Sequence, residues 1–396
     1  MLNTLNDVLN NVDNFIWGMP LIILILFTGI LLTVRLRGLQ IRHLGKALHY
    51  VFHNEDDGEG EVTSFGALCT ALSATIGTGN IVGCATAIVA GGPGALFWMW
   101  LAAFFGMATK YAEGMLAVKY RVIAEDGHTL GGPFYYIEKG MGKNFKWLAK
   151  LFCVFGTMVG LFGIGTFTQV NGITSAVNNF FDPSNVHTIS LFGMNYSISV
   201  VVAGIIVTIC AGLVIIGGIK RISKVSEVIV PFMAVTYIGV CLIIVFTHLP
   251  QVPAAFAEIV QSAFGLKAVA GGAIGAMTVA MQKGIARGIF SNEAGLGSAP
   301  IAAAAAQTNE PVRQGLVSMT GTFIDTIVIC TLTGLSVVIT GAWQVEGLEG
   351  VQVTTYAFQN GLPFSNQFCA AVLMICLVFF AFTTILGWDY YGERCL

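Results

Sequence analysis

Ala74-Thr75-Ile76-Gly77-Thr78-Gly79-Asn80 interrupts an apolar run over residues 65–90, and Phe290-Ser291-Asn292-Glu293-Ala294-Gly295-Leu296-Gly297-Ser298 interrupts another over 264–306. Both contain G-x-G followed by a small polar residue. In hydrocarbon a helix satisfies its backbone groups internally, so a segment that leaves helical geometry must turn its freed N–H and C=O groups toward a polar cavity. Paired glycines permit that departure. A half-helix N-terminus then offers N–H groups and positive dipole to a carboxylate, while freed carbonyls can coordinate a dehydrated cation. An amino acid together with a cation satisfies both. The competing reading is that these glycines only let helices approach closely; Thr, Asn, Ser and Glu beside the breaks weigh against it. A dinucleotide site is excluded, because Gly77-x-Gly79-x-x-x-Gly83 has the wrong spacing and no strand precedes it.

The composition around these segments is that of an integral membrane protein. The chain has 396 residues, 55% hydrophobic and only 10% charged, against roughly 25% charged in an ordinary soluble domain. Lys+Arg 19 against Asp+Glu 21 leaves no basic excess to neutralise phosphates, which excludes nucleic-acid binding as a main function. Of the nine cysteines, Cys69, Cys84, Cys153, Cys210, Cys241, Cys330, Cys369 and Cys376 lie in apolar stretches without C-x-x-C spacing. They read as small buried apolar residues. The acidic, Lys/Arg-free N-terminus is not a signal peptide, so the first run is a retained anchor.

Apolar runs long enough to cross the hydrocarbon lie at 16–34, 65–90, 95–118, 147–178, 197–218, 226–248, 264–306, 315–341 and 367–387, nine crossings in all. The second break falls in 264–306, read as one interrupted crossing, five crossings on from the one that holds the first break. Loops 35–64, 119–150, 218–225, 307–314 and 388–396 hold 4, 6, 3, 1 and 1 basic residues, whereas 1–15, 91–94, 181–196, 249–263 and 342–366 hold none. The positive-inside rule therefore places the N-terminus outside and residue 396 inside. Paired broken helices in a polytopic chain are the mark of inverted-repeat transporters.

Gly77-Thr78-Gly79-Asn80, Gly91-Gly92-Pro93-Gly94 with Phe97-Trp98-Met99-Trp100, Gly131-Gly132-Pro133, Arg287-Gly288 with Ser291-Asn292-Glu293-Ala294-Gly295, and Phe323-Ile324-Asp325-Thr326 resemble the alanine or glycine:cation symporter family, from about residue 16 to the end. The resemblance implies an all-α, leucine-transporter-type fold: ten core helices as two inverted five-helix repeats, behind one extra N-terminal helix. It implies sodium-driven import of alanine or glycine across the plasma membrane, with sodium as coupling ion and no cofactor, by a chain taken as monomeric among membrane lipid. On this frame residues 1–61 carry the extra helix and a cytoplasmic loop, 62–249 the first repeat and 250–396 an incomplete second repeat. Family members continue past Trp388-Asp389-Tyr390-Tyr391-Gly392-Glu393-Arg394 into two more helices, so core helices nine and ten are expected to be absent from the chain as given.

The resemblance also assigns roles. Amides of Gly77, Thr78 and Gly79 are expected at the substrate carboxylate, with Thr75 and Asn80 beside them, and Ser291, Asn292, Glu293 and Gly295 around the ammonium and the small side chain. Thr383 and Thr384 hydroxyls with the Phe380 carbonyl are expected to face the Ser73 and Ile76 carbonyls across a sodium ion, a hard cation that needs several oxygens. For paired membrane threonines the alternative is back-bonding to their own helix. Gln169 is a candidate substrate contact or an interhelical hydrogen-bond partner, and Trp388 either closes the pocket or anchors at the interface. Lys110 and Glu113, three apart, read as a structural salt bridge. Glu293 could bind the ammonium, carry a proton or pair with Arg287. Asp325 beside Thr326 assists the cation or bridges helices. The six histidines read as surface residues with no metal partners.

A channel would need a continuous polar path or charge ring, which two unlike breaks in one chain do not suggest. An enzyme would need a nucleophile or metal constellation, and no G-x-S-x-G or H-E-x-x-H is present. Proton coupling is the alternative to sodium.

Overall fold

Thr63 starts the helix Ser64–Thr75 by accepting a hydrogen bond from Gly66 N at 2.9 Å, and Ser365 does the same from Phe368 N at 3.4 Å at the head of Asn366–Cys395. Such caps satisfy amides that have no partner within the helix. The computed structural model describes residues 2–53, 58–125, 127–163, 165–191, 193–266 and 272–396. Among the described residues, each apolar run read from the sequence contains helix, and the chain is an all-α membrane protein with two small hairpins.

Among the described residues, Lys143–Phe181, Ile198–Ile215, Gly218–Thr247, Pro311–Ile339 and Asn366–Cys395 are each long and apolar enough to cross a membrane. Ser64–Thr75 and Gly79–Gly91 make a sixth span, bent by 52°. Met19–Arg35 is a shorter apolar helix. Gly94–Tyr120 has 27 residues, about 40 Å of helix, and with Ala273–Asn292 fills the two remaining runs; both carry charges within them. Residues 267–271, near the head of the 264–306 run, lie outside the described residues.

Several segments read as loops have structure of their own. The 1–15 tail forms a helix, Leu2–Ile16. Thr188–Leu191 pairs antiparallel with Met194–Ser197, and Val122–Ile123 with Thr129–Leu130. Short helices Val252–Ala263 and Val351–Gly361 occupy the regions 249–263 and 342–366. The 147–178 run is held by two helices, Lys146–Phe162 and Phe167–Phe181. Cys210 is exposed and Cys153 half-buried, so two of the eight cysteines expected inside lie toward the surface.

Gly94–Tyr120 is the central post, packed against Pro311–Thr322, Ala273–Asn292 and Met19–Arg35. One apolar core gathers around Tyr237, Phe358 and Phe380, and a second around Trp388, Tyr390 and Tyr391; Asn366–Cys395 contributes to both. At one end the chain ahead of the first broken helix is stitched to the chain after the second. Glu61 N donates to Ala305 O at 2.9 Å and Gln307 N to Val62 O at 2.7 Å. Arg121 then caps the seam, its guanidinium donating to the Ala304, Ala306, Glu59 and Thr308 carbonyls at 2.6–3.0 Å. The two breaks are thereby held side by side.

Candidate functional site

Helix Ser64–Thr75 ends at Ile76, whose ψ of 89° turns the chain out of helical geometry. The chain resumes as a wide helical turn, Gly79–Gly83, and continues as Cys84–Gly91. Neither Gly77 nor Gly79 adopts a positive φ, so these glycines are not needed for left-handed backbone. Gly77 is needed for space, since a Cβ there would stand 2.4 Å from Thr384 Oγ1 and 3.3 Å from Gln169 Oε1. Gly79 is under no such pressure, with its nearest neighbours, Phe290 and Ser291, at 3.5 Å. The second break does use left-handed backbone: Glu293, Gly295 and Gly297 have φ of 57°, 91° and 79°. The turn ends Ala273–Asn292, and the short helix Ala299–Ala304 follows.

Asp325 joins the breaks. It is wholly buried in a widened, π-helical stretch, Phe323–Cys330. Its carboxylate accepts from Asn80 Nδ2 at 2.7 Å, from Ser291 Oγ at 2.9 Å and from Thr326 Oγ1 at 2.7 Å. Thr326 Oγ1 accepts in turn from Asn292 Nδ2 at 3.0 Å. A wide turn of this kind often marks a functional position in a helix, and here it lets Asp325 and Thr326 reach both breaks. One carboxylate thus ties residues about 245 positions apart.

The first break is also held from within. Gly77 N donates to Asn80 Oδ1 at 2.9 Å, and Thr78 N to Gln169 Oε1 at 3.3 Å. Two of the amides expected at the substrate carboxylate therefore meet side-chain oxygens in this conformation. Gln169 lies in the first turn of Phe167–Phe181, which places its side chain against the first break. Thr75 is turned back on its own helix, donating to Ala71 O at 3.2 Å.

On the other side of Gly77, Thr384 Oγ1 lies 3.4 Å from Ile76 O and 3.0 Å from Phe380 O. Three of the five expected cation ligands thus meet across the helices. Thr383 Oγ1 bonds within its own helix to Phe379 O at 3.1 Å and Phe380 O at 3.0 Å and touches Met233 Sδ at 3.6 Å. Ser73 is buried with its hydroxyl on Thr70 O. Among the described residues no group of three or more His, Cys, Asp or Glu is arranged to hold a metal.

The remaining predicted residues make no hydrogen bond to Asp325. Glu293 Oε2 accepts from Ser298 Oγ while Oε1 has no hydrogen-bond partner. Gly295 faces Ile25 and Thr109, and Gly297 N donates to Glu113 Oε1 at 3.1 Å. Glu293 is not paired with Arg287, whose guanidinium stacks over the Phe290 ring at 5.5 Å. The expected Lys110–Glu113 salt bridge does not form either: Lys110 Nζ has no hydrogen-bond partner, and Glu113 turns to the second break instead. Trp388 is buried, its Cβ 2.4 Å from where a Cβ on Gly165 would stand and its ring edge-on to Tyr391 at 5.4 Å. It is an interior residue, not an interfacial anchor. Sequence reasoning noticed Asp325 and Thr326 but left them out of the site; an acidic residue inside an apolar run was the available signal.

The sequence model described as the sodium:alanine symporter family matches residues 2–396. An uncharacterized transporter of Haemophilus influenzae is 57% identical over 393 residues, covering 99% of this chain and 82% of the relative. The sodium/alanine symporter AgcS of Methanococcus maripaludis is 47% identical over 396 residues, 98% of this chain and 82% of the relative. The probable sodium/glutamine symporter GlnT of Bacillus subtilis is 38% identical over 395 residues, 99% and 77% respectively.

Proposed function

The chain belongs to the sodium:alanine symporter family, and on that premise we propose that it imports alanine or glycine with sodium, binding both at the two helix breaks. It is a membrane transporter and not an enzyme, and sodium is its coupling ion rather than a cofactor. The finer reading rests on one observation, the Asp325 carboxylate that gathers Asn80 from the first break and Ser291 from the second. Two interrupted helices held to one buried acceptor gather polar groups between apolar walls, the setting in which freed backbone groups meet an ionic solute.

In this reading the substrate carboxylate takes the Gly77 and Thr78 amides, displacing the Asn80 and Gln169 oxygens that occupy them now. Sodium sits where Thr384 Oγ1 approaches the Ile76 and Phe380 carbonyls. Because a Cβ on Gly77 would reach both Thr384 and Gln169, the cation and substrate positions share a wall. Each bound species then orders groups that the other needs, which is how two affinities become linked. Transport follows by alternating access of the site to outside and inside, with residue 396 on the cytoplasmic side of the plasma membrane. Glycine as well as alanine, a plain monomer and core helices arranged as two repeats complete the reading.

A proton-coupled cycle is the second reading, favoured by the buried Glu293 Oε1 that has no hydrogen-bond partner. Reconstitution in liposomes separates the two. An inward sodium gradient should drive uptake of labelled alanine at constant pH, and uptake that follows a proton gradient and ignores sodium would sink the sodium assignment.

A further inference from the structure

A small pocket lies between the broken helices and the central post, its polar lining Thr75, Lys110, Gln314 and Ser318 set among alanines and the side chains of Leu68 and Leu72. Thr75 is the last residue of the first half-helix, and the Ala299 and Ala303 walls belong to the short helix that follows the second break. Both elements run from the breaks toward the seam that Arg121 caps. The pocket is therefore on the side of the breaks assigned to the cytoplasm, in the cleft between the two half-helices.

Two of its polar lining atoms, Lys110 Nζ and Gln314 Oε1, are unsatisfied. Lys110 is only 3% exposed and its Nζ has no hydrogen-bond partner; Gln314 is 1% exposed and its Oε1 has none. Glu113, Glu293 and Asp325 bond elsewhere, to Gly297 N, Ser298 Oγ and Asn80 Nδ2. An ammonium held among apolar side chains without a partner is costly. Placed beside an amide oxygen that is equally unpaired, it offers a cationic donor for a carboxylate and an acceptor for an ammonium. That pairing of signs fits a zwitterion and does not fit a simple anion, which would leave the Gln314 oxygen unpaired.

We propose that this pocket is a second, inner binding station for the transported amino acid, in which Lys110 Nζ takes the carboxylate as the substrate leaves the central site. The inference rests on the symport reading above. In the present conformation the void is about 10 Å³, space for roughly one water molecule. The station therefore opens only as Ser64–Thr75 and Ala299–Ala304 separate, and it serves release and not capture from outside.

Half-saturating alanine concentrations measured from each face, in right-side-out and inside-out membrane vesicles, test this. Lys110→Met should raise the inner-face value about tenfold, the size of one lost charge-assisted hydrogen bond, and leave the outer-face value within about twofold. A rise of equal size at both faces, or none at the inner face, would overturn the proposal. Gln314→Ala keeps the charge and should give a smaller rise, again at the inner face alone; an unchanged inner-face value in a correctly inserted Gln314→Ala protein refutes the station even where Lys110→Met fails to fold. A wild-type protein that does not carry alanine would refute the symport reading itself, and the station with it.

Discussion

Replacing Asp325 by Asn is the most informative change to the breaks. In the folded protein this carboxylate accepts three hydrogen bonds at 2.7–2.9 Å, from Asn80, Ser291 and Thr326, in a position with no solvent exposure. Hydrogen bonds to a charged acceptor contribute about 1.5–3 kcal/mol each against about 0.5–1.5 for neutral ones, so losing the charge costs about 1 kcal/mol per bond and about 3 kcal/mol over three. The shape is kept. Ser291 and Thr326 both face Oδ2, and their hydroxyls can turn to accept from the new amide nitrogen. Asn80 Nδ2 faces Oδ1 and keeps an oxygen acceptor. The loss therefore falls on how firmly the breaks are held together, and about 3 kcal/mol corresponds to about a hundredfold in an equilibrium constant. Sodium-driven alanine uptake in liposomes should show its efficiency reduced between about tenfold and a hundredfold, with thermal unfolding in detergent reporting separately on stability. Asp325→Ala, which leaves three buried donors unpaired, should fall further and lower the melting temperature as well. Uptake by Asp325→Asn within about twofold of wild type would refute the role given to this carboxylate.

Other consequences are as direct. Thr384→Val removes the hydroxyl that reaches Ile76 O and should raise the half-saturating sodium concentration about tenfold, while Thr383→Val, whose hydroxyl stays within its own helix and on Met233, should raise it less; equal effects would contradict the geometry. Gly77→Ala should abolish uptake because its Cβ meets Thr384 at 2.4 Å, whereas Gly79→Ala, with nothing nearer than 3.5 Å, should retain it. Asp182 accepts from the Val186 and His187 amides at 2.9 and 3.0 Å and from Ser197 Oγ at 3.1 Å, and chiefly the Val186 amide holds its carboxyl below the usual carboxylate range. A depressed pKa in the folded state means that its stabilisation of the hairpin is present above the unfolded value of about 3.9 and is lost as pH falls through the lower folded value. Hydrogen exchange at residues 186–197 should accelerate in that acid range in wild type, and Asp182→Asn should show the fast exchange already at neutral pH.

The positions of both breaks were legible because glycine and polar residues inside an apolar run have few explanations in a membrane. What each glycine does was not. Gly295 and Gly297 adopt left-handed backbone, but Gly77 answers to a threonine 307 positions away, and such a close approach leaves no trace in a single sequence. Asp325 was visible as an anomaly, yet its partners come from helices far apart in the chain, and only the widened turn at Phe323–Cys330 lets one carboxylate reach them. Local spacing misled at Lys110 and Glu113. Three residues apart on a helix they suit one another, but the Gly297 amide competes for the carboxylate. The division of the 147–178 run into two helices was hidden because apolar residues in both kept the hydropathy high throughout.

Equilibrium binding of labelled alanine to the purified protein, with and without saturating sodium, tests the shared site most directly. Reciprocal linkage across the wall at Gly77 requires sodium to tighten alanine binding, and alanine to tighten sodium by the same factor. Thr384→Val should remove most of that factor while leaving sodium-free alanine binding near the wild-type value. Alanine affinity that is identical with and without sodium would contradict the account.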